Sequence, residues 1–74
     1  MDEVTGRILL VQEGRFRLLR DDGAGQSFAL APGAGLEPQD LPALRNRRVR
    51  VRFRPVDGLL AGAVHALDAL PEER

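Results

Sequence analysis

RNRRVRVRFRP, Arg45 to Pro55, is the stretch whose reading decides the fold. From Arg48 to Arg54 every second residue is arginine, and Val49, Val51 and Phe53 lie between them. Successive side chains of a strand point to opposite faces, so a period of two marks a half-buried strand. A helix would scatter the same arginines around its circumference. The spacing therefore predicts a strand with Val49, Val51 and Phe53 towards a core and Arg48, Arg50, Arg52 and Arg54 towards water. Pro55 carries no amide proton to donate and ends the ladder.

Working outward, VTGRILLVQ (Val4 to Gln12) reads as a strand of branched apolar residues, and Glu13-Gly14 as a tight turn. RFRLLR (Arg15 to Arg20) alternates again, with Phe16 and Leu18 on one side and Arg15, Arg17 and Leu19 on the other. DDGAGQ supplies hairpin-loop residues, and SFALA (Ser27 to Ala31) is a third strand with Phe28 and Leu30 inward. Pro32, Gly33 and Gly35 break the pattern. A short helical segment is expected from about Gln39 to Arg45, with Asp40 accepting from free amides and Leu41 and Leu44 on one face. DGLLAGAVHALDAL suits two readings. One is a helix with Leu60, Val64, Leu67 and Leu70 on one face. The other, taken here, is a strand from about Ala61 to Leu67, because Gly62 weakens a helix and four strands need a fifth to close.

The expectation is an all-β chain: a five-stranded OB-fold-like Greek-key barrel with one short helix between strands 3 and 4. It fills residues 1–70 as a single domain, with 71–74 as a flexible tail. Closing the sheet removes both edges and buries Ile8, Leu10, Phe16, Leu18, Phe28, Val49, Val51 and Phe53 together. At 74 residues one domain fits and two do not. There is no cysteine for a disulfide or thiolate site, and the lone His65 cannot anchor a zinc set. The acidic start lacks a signal-peptide pattern, and no apolar run approaches a membrane span. A soluble cytoplasmic protein with no metal, cofactor or membrane partner is expected.

FRLLRDDG (Phe16 to Gly23), RVRVRFRPVDGLLAGAV (Arg48 to Val64) and the opening Gly6-Arg7-Ile8 resemble the OB domain of bacterial translation initiation factor one and the related S1 domains. EGRFRLL with DDGAGQSFAL also resembles the cold-shock domain, whose aromatic rings face outward. Turning Phe16 outward here would bury Arg17 without a partner, so that aromatic platform does not carry over.

Net charge is zero, yet six of the eleven arginines fall between Arg45 and Arg54 with no acid among them, leaving that segment at +6 and the remainder at −6. No lysine occurs. GC-rich codon usage explains that, as does selection for bidentate contacts to phosphate or carboxylate. The OB resemblance implies that the first strand lies beside both the second and the fourth. That gathers Arg7, Arg15, Arg17, Arg48, Arg50, Arg52 and Arg54 on one outer surface. Such a band can track a phosphate backbone. It can equally be a solvated face whose arginines pair with Asp2, Glu3, Glu13, Asp21, Asp57 or Asp68. Leu59 and Leu60, after the fourth strand, either contact a protein partner or plug the barrel. Asp21-Asp22 reads as turn chemistry, no phosphate loop or nucleophile–base set occurs, and no catalytic residue is assigned. The expected function is non-enzymatic: weak binding of single-stranded RNA or DNA through the arginine face without strong sequence choice. The alternative is an accessory domain recognising an acidic or apolar protein partner.

Overall fold

Alternation carries the chain into strands at the expected places. The computed structural model describes residues 1–56 and 61–72. Strand β1 spans Asp2–Gln12, β2 Arg15–Arg20 and β3 Gly25–Leu30. A 3₁₀ helix covers Pro38–Leu44, followed by β4 at Arg48–Pro55 and β5 at Ala61–Ala69. The strands close into a barrel in the order β1-β2-β3-β5-β4, with β4 returning to β1. It is a five-stranded OB-fold-like Greek-key barrel with its short helix between strands 3 and 4. Among the described residues no helix is long and apolar enough to cross a membrane. The ambiguous C-terminal segment is a strand: β5 pairs antiparallel with β4 and parallel with β3.

β1 serves both sides of the closure. Its first half, from Asp2 to Arg7, pairs with β4, and its second half, from Gly6 to Gln12, pairs with β2. Gly6 stands in both ladders, opposite Arg20 and Val49. A Cβ placed there would sit 2.3 Å from the Leu19 carbonyl oxygen and 2.8 Å from the Arg20 Cα. Only a residue without a side chain lets β2 cross so close.

Inside, Ile8, Phe16, Leu18, Phe28, Val49, Val51 and Phe53 are buried as alternation requires. Phe16 and Phe28 stack at 5.3 Å between centroids, and Phe28 meets Phe53 edge-on at 5.0 Å. Leu41 of the 3₁₀ helix and Val64 of β5 complete the buried set, with Leu44 packed against it. The helix start is held as expected by Asp40, whose carboxylate accepts from the Glu37 amide at 2.8 Å.

Leu10 departs from expectation: it is 54% exposed. The cause is a break in register, since Ile8 pairs with Leu18 but Leu10 with Arg17. Leu9 is therefore an extra residue, a β-bulge, and the inward positions shift from Ile8 to Val11, which lies opposite Phe16 and packs on the core. A second shift falls in β5, where Arg52 pairs with Ala66 and Phe53 with Val64. His65 is the extra residue there and stays half-buried, and Val64 enters the core in its place. Backbone bonds brace the first bulge: Ile8 donates to the Arg47 carbonyl at 3.1 Å, and Asn46 donates to Ile8 at 2.8 Å.

Two substitutions test this packing. Leu10→Ser should change unfolding free energy in urea by no more than about 0.5 kcal/mol, whereas Ile8→Ala should cost about 2–5 kcal/mol. Equal losses at both sites would mean a regular, unbulged β1. Gly6→Ala should cost about 1–3 kcal/mol in the same assay, because backbone and not a flexible side chain must give way.

Candidate nucleic-acid interface

The outer face of the barrel is built by the residues that alternate with the core. On β4 these are Arg48, Arg50, Arg52 and Arg54, all exposed. On β1 Arg7 lies directly opposite Arg48. On β2 Arg15 and Arg17 point out, opposite Gln12 and Leu10. β1 does lie between β2 and β4, so the seven arginines share the outer surface of neighbouring strands.

They fall into two groups with different electrostatic surroundings. In the first, each arginine meets an acid. The Arg48 Nη2 donates to Asp21 Oδ2 at 2.6 Å, and that hydrogen bond, with the Asp21 charge, holds its guanidinium above the ordinary arginine range. Arg50 and Arg52 both reach Glu3, at 3.7 and 4.0 Å. Arg7 pairs with Glu72 at 2.6 Å and also donates to the Asn46 carbonyl. Arg47 reaches the same Glu72 at 3.3 Å. Glu3 and Asp21 were foreseeable partners, one β1 neighbour and one hairpin residue. Glu72 was not, because it lies in the segment read as a loose tail; residues 73 and 74 of that tail are outside the described residues, as is Asp57. Asp22 accepts from the Ala24 amide at 2.9 Å and pairs with Arg20 at 2.9 Å, so the aspartate pair works in the turn and its flanks.

The second group is Arg15, Arg17 and Arg54. Among the described residues none of the three meets a carboxylate within ion-pair distance. Arg17 instead donates to the Ser27 hydroxyl at 3.0 Å. Arg15 and Arg17 line one hollow, and register places Arg54 at the far end of the strand row that crosses it. Arg15 of β2 lies opposite Ala29 of β3, Ala29 opposite Ala63 of β5, and Ala63 opposite Arg54 of β4. The two arginines thus bound a row with alanines between them. Three strand spacings separate them around the curved wall of the barrel. The hollow is mostly apolar and is lined by Leu10, Phe28, Ala29, Pro32, Val56 and Ala63, with Arg15 and Arg17 at its rim. Small floor residues let a ligand approach the strands closely. The rim supplies positive charge.

The arginines are legible in the sequence; this hollow is not. Its floor is made by Ala29 and Ala63, which carry no chemical signal and meet only through the parallel β3–β5 pairing. Leu59 and Leu60, the expected protein contact, lie outside the described residues. Exposed leucines occur elsewhere, at Leu9, Leu10 and Leu19, and Leu9 and Leu10 stand at the β1 bulge. Among the described residues no cluster of histidine and carboxylates can hold a metal ion. No family model matches the chain, and no curated protein and no solved structure matches it.

The ion pairs are exposed, and exposed pairs contribute little. Glu3→Gln should therefore change unfolding free energy by less than about 1 kcal/mol although it removes the acid shared by Arg50 and Arg52. A larger loss in a urea titration would show those pairs holding β1 to β4.

Proposed function

We propose that this protein is a non-enzymatic module that binds single-stranded RNA or DNA, weakly and with little sequence choice, across the hollow on its β2–β3–β5 face. One observation carries the reading: Arg15 and Arg17 edge an apolar hollow, and among the described residues neither they nor Arg54, next to it in the strand row, lies within ion-pair distance of a carboxylate. Guanidinium groups at the rim neutralise phosphates, and the alanine and leucine surface between them accepts sugars and bases. Barrels of this class offer the face of strands 2 and 3 to oligonucleotides, and the resemblance to initiation factor one and S1 domains supports the reading by analogy. Arg48, Arg50 and Arg52 contribute less than their clustering suggests, because a phosphate must compete with Asp21 and Glu3 for them.

A second reading rests on Leu9, Leu10 and Leu19: an accessory domain that meets an apolar or acidic protein surface through these leucines and the arginines beside them.

Fluorescence anisotropy with labelled eight-nucleotide RNA and single-stranded DNA tests the first reading. Binding should appear on the order of tens of micromolar at low salt and weaken with salt at a log–log slope of about −2, as three phosphate contacts require. Arg15→Ala with Arg54→Ala should weaken it about tenfold and flatten the slope, and Arg50→Ala with Arg52→Ala should weaken it less. Absence of binding, or binding indifferent to salt, removes this reading and leaves the protein-partner one.

A further inference from the structure

We propose that Arg17 is the base-stacking plane of this barrel, held in position by Ser27 and by the missing side chain at Gly25. The inference rests on the single-strand reading above and goes further by assigning one residue the part that aromatic rings play in other barrels. Sequence-tolerant single-strand binders stack bases on exposed aromatic side chains. Here there is no tryptophan or tyrosine, and all three phenylalanines are buried in one stack. The planar group left on the β2–β3 face is a guanidinium, which stacks on nucleobases as well as pairing with phosphate.

The geometry around Arg17 is that of a placed group. Its Nη1 is tied to Ser27 Oγ at 3.0 Å across the β2–β3 ladder, where Arg17 and Ser27 are register partners. Its guanidinium also lies over Gly25. A Cβ at position 25 would come within 2.7 Å of Nη2, 3.2 Å of Cζ and 3.3 Å of Nε. The tip of the side chain therefore fills the space that any other residue at 25 would occupy. Leu10, opposite Arg17 on β1, adds exposed apolar surface beside it. A hydroxyl anchor leaves the charge unneutralised, where a carboxylate would have quenched it. Holding the side chain in advance reduces the ordering cost of binding.

The test separates base contact from phosphate contact. Anisotropy is measured with an eight-nucleotide thymidine strand and with an abasic strand of equal length and charge. The native protein should favour the thymidine strand about tenfold. Arg17→Lys keeps the charge but removes the plane, so it should abolish that preference and leave the salt slope within error. Gly25→Ala keeps the arginine but displaces it. Only a flexible side-chain tip must move, so the melting temperature should hold while the base preference falls. Equal affinity of the native protein for both strands, or a preference that survives Arg17→Lys, overturns the inference while salt-dependent binding keeps the single-strand reading. If neither strand binds, both fall.

Discussion

Three phenylalanine rings set the terms for the whole molecule. Phe16, Phe28 and Phe53 come from β2, β3 and β4 and form one contiguous stack inside the barrel. Gly62 of β5 makes room for it: a Cβ there would press within 2.7 Å of the Phe53 ring and 3.0 Å of Phe28. Four of the five strands are thus tied to one aromatic unit. With so few residues to bury, the fold commits every ring it has to the interior. The outer surface is left with guanidinium groups, aliphatic side chains and carboxylates for any recognition it performs.

Strand β4 was plain in the sequence because apolar and charged residues alternate there without interruption. The same rule misplaced Leu10, and the reason is visible in the spacing. Inward apolar residues run at intervals of two until Ile8, then jump three to Val11. They jump three again from Val64 to Leu67 in β5. Each jump is a bulge, and each bulge exchanges the faces of the strand beyond it. Spacing of three also occurs on helices, which is why the last segment suited two readings from its residues alone.

The arginine face was legible as a list of residues and not as a field. Density of charge along the chain is a poor guide to available charge, because strand neighbours decide which cations are neutralised. β4 lies against the acidic start of β1 and near Asp21 of the β2–β3 hairpin, so Arg48, Arg50 and Arg52 find partners. Arg15 and Arg17 look sparse in sequence, yet they border alanine and serine on β3. The hollow between β2 and β4 depends on residues more than thirty positions apart being brought into one row. No local pattern announces such a row.

The parallel pairing of Ser27–Leu30 with Ala61–Val64 has a consequence for how the cylinder is assembled. Among the described residues it is the shortest ladder of the five, and it joins segments separated by the whole 3₁₀ helix and β4. The β1-β2-β3 meander forms from neighbours in the chain, while this seam must wait for the chain to return. Until it zips, β3 and β5 each present an open edge. The hollow proposed to receive a ligand lies across that same seam, so a bound strand would act as a clasp, holding the two edges together.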